Sequence, residues 1–213
     1  DVKVEGIRAL GAEVRIIGQS QDDAYVESRR LVDEEGLTEI PPFDDEHVIA
    51  GQGTIGLELL EDCPDLATIL VPLSGGGLAA GIALAARAIK PNIKIIGVSM
   101  ENGAAMFEAL FAGHPTEIEE VASLADSLGG GLGADNKLSF SMCRDLLDDC
   151  VLVSEDEIYD AMQTLYFEDR IVAEGASVVG IAALALPRGL EGGPSVTRVL
   201  LGAAVGGLAV GLA

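Results

Sequence analysis

The chain has 213 residues, 49% of them hydrophobic, a mean hydropathy of +0.37 and a formal net charge of −22 at pH 7. That length can bury one large or two modest cores, and the apolar content excludes a disordered chain. The charge opposes binding to nucleic acid or an anionic membrane, and an aromatic content of 4% leaves little for base stacking. Cys63, Cys143 and Cys150 are an odd set without metal-ligand spacing, so they read as free thiols in a reducing cytoplasm. Basic residues are mostly arginine, with lysine only at Lys3, Lys90, Lys94 and Lys137. Such an acidic, lysine-poor surface suits either a salt-adapted cytoplasm or ordinary solubility. No signal-peptide pattern is visible, and the uncharged tail 199–213 is too short and glycine-rich to span a bilayer.

In chain order, Val2 to Leu10 reads as the end of a helix closed by Gly11, and Ala12 to Ile17 as a strand. Ser20-x-x-Asp23 is a capping signal for a helix running toward Gly36. Pro41-Pro42 interrupts regular structure and marks a candidate domain crossing. Gly51-Gln-Gly-Thr54 reads as a loop, with Thr54 as the N-cap of the helix after it. Thr68 to Leu73 is an apolar run of the kind found in buried strands, followed by three glycines and a helix-forming segment, Leu78 to Lys90. A strand is expected at Ile93 to Ser99 and a helix at Ala104 to Ala112.

Gly113 to Asp135 is too long for an idle connection and is expected to line a site. Lys137 to Asp149 reads as helix, Val151 to Val153 as a short strand, and Ser154-Glu-Asp-Glu157 as a capping box opening a further helix. Glu174 to Leu186 is a helix of small residues, and Val196 to Leu201 a final strand. Strands alternating with helices at this spacing imply βαβ units, hence an α/β fold with a mostly parallel sheet and flanking helices.

The strand–glycine–helix junction at Ser74-Gly75-Gly76-Gly77-Leu78 carries the chemistry. Residues without Cβ let backbone N–H groups converge, and a helix N-terminus adds unpaired donors and the positive end of its dipole, so the junction can cradle a phosphate. A tight turn that binds nothing has the same local signature. His47 and His114 have no triad or zinc partners in sequence, and the acidic runs 34–35, 44–46, 119–120 and 148–149 read as solvated faces.

Three segments fall in an order and spacing that mark a family: Val48-Ile-Ala-Gly-Gln-Gly-Thr-Ile-Gly-Leu-Glu58, the glycine junction, and Pro91-Asn-Ile-Lys-Ile-Ile-Gly-Val-Ser99. Together they resemble the threonine dehydratase and serine racemase branch of the fold-type II pyridoxal-phosphate enzymes, which share the tryptophan synthase β-like fold. Gly97-Val-Ser-Met-Glu-Asn-Gly-Ala-Ala-Met106, Ser123-Leu-Ala-Asp-Ser-Leu-Gly-Gly-Gly-Leu-Gly-Ala-Asp-Asn136 and Val172-Ala-Glu-Gly-Ala-Ser177 are similar to the dehydratases of hydroxyectoine utilisation. The resemblance runs from about Val2 to Arg198.

It implies pyridoxal 5'-phosphate as cofactor and an ammonia-lyase that converts a small β-hydroxy amino acid to a 2-oxo acid and ammonia. It also implies a small-molecule substrate, a homodimer and a cytoplasmic location, with no nucleic-acid or membrane partner. Residues 1–40 correspond to the end of a small domain and 41–213 to the large cofactor domain. Ser74, Gly75, Gly76, Gly77 and Leu78 are the expected phosphate site. Ser127 and Gly129 to Gly131 match a loop passing close to the cofactor ring, and Glu174 a position on its pyridine side, where a buried carboxylate would need a partner.

In the family the Schiff-base lysine and a Ser/Asn/Gly loop lie upstream of the part that Val2 matches, and none of the four lysines here fits a lysine motif. The N-terminal part is therefore expected to be missing, the catalytic lysine to be outside this sequence, and the chain alone to be inactive. Two departures stand out. The family's Ser-Gly-Gly-Asn stretch is Leu201-Gly-Ala-Ala204 here, and the racemase metal-binding glutamate is replaced by Ser99, so no metal site is expected. The alternatives are a racemase or β-replacement enzyme of the same fold, a non-catalytic binding fragment, and a Rossmann-like nucleotide-binding module. The last lacks both the G-x-G-x-x-G spacing and an acidic residue after the next strand.

Overall fold

A computed structural model of the chain describes residues 2–185. The expected strand at 196–201, the departure at 201–204 and the tail 199–213 lie outside the described residues. The chain divides into two compact units, Asp1–Glu39 and Ile40–Ala213.

The first unit holds two helices, α1 (Val2–Ala9) and α2 (Gln21–Glu35), neither with a buried residue. Gly11 takes a left-handed φ of +85° after α1. The Ser20 hydroxyl accepts from the Asp23 N–H, the Asp23 carboxylate accepts in return from the Ser20 N–H, and Gly36 closes the helix in the left-handed region. Arg30 pairs with Glu27 and Glu34 along the exposed face of α2. The expected strand at 12–17 does not form. A strand needs a neighbour for its backbone groups, and no other strand is present among the described residues of this unit.

The second unit is built on a three-stranded parallel sheet in the order β1 (Thr68–Pro72), β2 (Lys94–Met100) and β3 (Asp149–Val153). Both faces are covered. Ile69, Val71, Leu73, Ile93 and Ile95 point into one core, and Leu70, Ile96, Val98, Met100 and Val153 into the other. This explains why the strand sequences read as continuous apolar runs.

The first core is formed with α3 (Glu46–Asp62), α4 (Gly77–Ile89), α5 (Ala105–Ala112) and α6 (Ser139–Leu146). The second is formed with α7 (Glu155–Asp169) and α8 (Gly175–Ala185), and α8 touches all three strands. The Ser154 capping box forms as the sequence indicates.

The 51–54 segment is a correction. It lies inside α3, whose N-cap is Asp45, and the Thr54 hydroxyl donates to the Gly51 carbonyl 2.9 Å away. The glycines serve helix packing instead. A Cβ at Gly56 would lie 2.8 Å from the Ile82 carbonyl oxygen, and one at Gly81 2.3 Å from that of Ile49. Only hydrogen at these positions lets α3 and α4 approach so closely.

Candidate cofactor site

β1 ends at Pro72, Leu73 still donates to Val98, and the chain then turns through Ser74, Gly75 and Gly76 into α4. The bend thus sits at the carboxyl end of a parallel strand, where α/β sheets place their ligands. Gly76 is the N-cap residue with φ +89° and no side-chain cap. From Ser74 to Ala79, no backbone N–H has an acceptor among the described residues; the first bond of the helix is Ala80 to Gly76. Gly75, Gly76 and Gly77 are nonetheless buried, with Ser74 and Leu78 half-buried. Six consecutive unpaired donors at a helix N-terminus form the arrangement that a multiply charged oxyanion satisfies.

Three neighbours fix the shape of this bend. A Cβ at Gly75 would fall 2.2 Å from the Phe43 ring, and one at Gly77 2.7 Å from the Phe43 carbonyl oxygen. At Gly76 it would fall 2.5 Å from Met106 Cε and 2.9 Å from Cys143 Sγ. Asp44, next to Phe43, accepts from the N–H groups of Lys137, Leu138 and Ser139 at 2.7, 2.8 and 2.8 Å, so one carboxylate caps α6. Cys143, one turn into α6, donates from Sγ to the Gly76 carbonyl at 3.5 Å. Burial above all, with Cys150 nearby, pushes the Cys143 thiol up to about 12.

Phe43, Met106 and Ser139 were not singled out by the sequence, and Cys143 was read only as a free thiol. Asp44 and Asp45 were read as part of a solvated run, yet each caps a helix. Asp148 likewise accepts from the Ile95 N–H and from Arg87. An Asp-Asp pair just before an apolar helix is a capping signal, and that signal was available in the sequence.

The loop after α5 is tethered rather than idle. Ser123 and the Leu124 N–H both donate to Glu155, and a Cβ at Gly175 would fall 2.2 Å from the Leu124 carbonyl oxygen. Gly129 closes a 3-10 turn at Asp126–Leu128 that packs against α8, while Ser127 is half-buried. Glu174 lies just before α8, so the structure brings the neighbourhoods of Gly129 and Glu174 together. Glu174 itself is exposed rather than buried, and its carbonyl accepts from Ser177. An open groove of about 460 Å³, lined by residues such as Glu101, Glu108, Phe111 and Thr116, lies beyond β2 and does not include the bend.

Lys90 and Lys94 stand apart from this chemistry. Lys3 and Lys94 are exposed, and Lys94 opens β2 at the end of the sheet opposite the bend. Lys90 closes α4, about 20 Å from the bend by helix rise, and donates to the Pro64 and Leu66 carbonyls. Lys137 is exposed and meets Asp44 through its backbone alone.

The profile of the family described as pyridoxal-phosphate dependent enzyme matches residues 1–213. The chain belongs to that family. The chain is 57% identical over 200 residues to a Sinorhizobium fredii protein with a threonine dehydratase name, covering 94% of the chain and 60% of the relative. To the L-threonine ammonia-lyase of Thermotoga maritima it is 41% identical, covering 85% of the chain and 45% of the relative. Maize serine racemase superposes with a TM-score of 0.80 at 34% identity, over 87% of the chain and 55% of the racemase. The chain thus spans about half to three-fifths of the length of these relatives.

The α/β fold with a parallel sheet and flanking helices is that of the fold-type II members, and the cofactor is pyridoxal 5'-phosphate. The unpaired donors of the bend suit the phosphate of that cofactor. The match also sets aside the nucleotide-binding alternative.

Proposed function

We propose that the protein is a threonine dehydratase-like ammonia-lyase, releasing a 2-oxo acid and ammonia from a small β-hydroxy amino acid. The observation that carries this reading is the run of N–H groups from Ser74 to Ala79 that have no acceptor among the described residues, in a chain whose relatives bear threonine dehydratase and ammonia-lyase names. Ser74, Gly75, Gly76, Gly77 and Leu78 hold the phosphate, and Gly129 and Glu174 lie toward the ring. When bound, the cofactor supplies an electron sink for the carbanion that forms at the amino acid's Cα. The bend fixes the distal end of the cofactor, and the tethered 123–131 loop and α8 shape the approach to it.

The lysine that tethers the cofactor is taken to come from outside these 213 residues, because none of the four present fits a lysine motif, and the 213 residues alone are taken to be inactive. Residues 1–40 belong to a small domain and 41–213 to the large cofactor domain. A role in hydroxyectoine breakdown rests on the similarities at 97–106, 123–136 and 172–177. The odd set of three cysteines without metal-ligand spacing supports a reducing cytoplasmic location, and a homodimer follows from the family resemblance.

The test uses protein from the complete coding sequence, loaded with pyridoxal phosphate and supplied with L-threonine, L-serine or a hydroxyectoine-derived β-hydroxy amino acid. Release of 2-oxo acid and ammonia in equal amounts is expected. Formation of the opposite enantiomer without ammonia would replace this reading with the racemase. Ser99 stands 1% exposed at the racemase metal position, with its hydroxyl directed to Met100 Sδ, and Glu101 is exposed, which favours the lyase.

A further inference from the structure

The glycine bend has an inherent weakness. A peptide unit flanked by glycines flips easily, and a flip would turn a phosphate-facing N–H away. The carbonyl of Gly76 and the N–H of Gly77 belong to one planar peptide unit and point in opposite directions. Whatever holds the carbonyl therefore aims the N–H.

That carbonyl accepts twice, from the Ala80 N–H at 2.8 Å and from the Cys143 thiol at 3.5 Å. The first is an ordinary helix bond. The second arrives from α6, 67 residues along the chain. Cys143 is itself fixed, because it is 0% exposed and the entry to its helix, Lys137 to Ser139, is bolted to Asp44 by three N–H bonds. Ser139 adds to the fit, its Cβ lying 3.4 Å from where a Gly76 side chain would start.

We propose that Cys143 is a positioning residue for the cofactor's phosphate, its thiol clamping the Gly76 carbonyl so that the Gly77 N–H stays aimed into the cradle. The inference rests on the phosphate site proposed above. The thiol has to stay protonated to donate, and its burial among Met106, Gly76 and the first turn of α4 keeps it so. The bond lies behind the cradle rather than inside it, so Cys143 touches neither phosphate nor substrate.

The experiment compares pyridoxal 5'-phosphate with pyridoxal, which lacks the phosphate. Apoprotein from the complete coding sequence is dialysed to equilibrium against each, and the ratio of the two dissociation constants is read. Unfolding midpoints are recorded in parallel. Loss of one weak hydrogen bond in Cys143→Ala is expected to lower the preference for the phosphorylated form about 5-fold, with pyridoxal affinity unchanged. Cys143→Ser, which restores a donor, should recover most of the preference.

A general loosening of the fold would weaken both ligands together and leave the ratio intact, which overturns the proposal. So does a ratio unchanged in Cys143→Ala when the variant is as stable as the wild type. If the wild type shows no preference for pyridoxal phosphate over pyridoxal, the phosphate site falls and the inference with it. A preference kept by the wild type and by both variants overturns the clamp alone.

Discussion

At the scale of single residues, the three glycines of the bend are required for different reasons, and substitution separates them. Gly75 faces the Phe43 ring, whereas Gly77 faces the Phe43 backbone. Gly75→Ala is expected to cost about 2 kcal/mol by overpacking, and the Phe43→Ala background should relieve most of it. Gly77→Ala should cost a similar amount with no relief, because truncating a side chain leaves the obstructing carbonyl in place. Urea unfolding of the two double-mutant cycles reads the difference, and equal relief at both positions would contradict the geometry.

A second residue with a measurable signature is Asp23. Its carboxylate is held below the ordinary 3.8 first by the Gln19 N–H, then by the Ser20 hydroxyl and N–H. A lowered native pKa means the cap's contribution is complete above 3.8 and disappears as pH falls through the lowered value. Protection factors of the amides in the first turn of α2, with the intrinsic exchange rate divided out, should fall on acidification, and Asp23→Asn should abolish that dependence. The glycines of the site were legible because their spacing after an apolar strand is local. Phe43 and Cys143 were not, since their roles arise from contacts more than thirty residues away in sequence.

At the scale of elements, most strands and helices could be read because their apolar periodicity and caps are local signals. Both capping boxes form where the sequence places them. The failures have a common cause in tertiary context. The 12–17 segment has strand-like composition and no strand to pair with, and the 51–54 glycines look like a loop until α4 is laid against them. That seam makes a prediction with an internal control. Gly81→Ala forces a Cβ to within 2.3 Å of the Ile49 carbonyl oxygen and should cost about 2–3 kcal/mol despite better helix propensity. Gly51→Ala, on the exposed side of α3 with nothing within 4 Å, should instead stabilise by about 0.5–1 kcal/mol. Thermal midpoints moving in the same direction for both would refute the packing role.

At the scale of the whole molecule, charge dominates. A net charge of −22 on 213 residues makes the folded state repel itself, and added salt screens that repulsion. The unfolding midpoint is expected to rise between about 0.1 M and 1 M potassium chloride, where the Debye length shrinks from about 10 to 3 Å. A midpoint that is flat or falling would remove salt adaptation as an account of the acidic composition. The sheet adds a consequence for biosynthesis. Its strands lie side by side in the order in which they are translated, all parallel, with α8 covering them last. As the nascent chain leaves the ribosome, β1 with its following helix offers an edge to β2, and β2 then offers one to β3. No described strand has to be threaded between two partners already joined, so this part of the protein can assemble vectorially while synthesis continues.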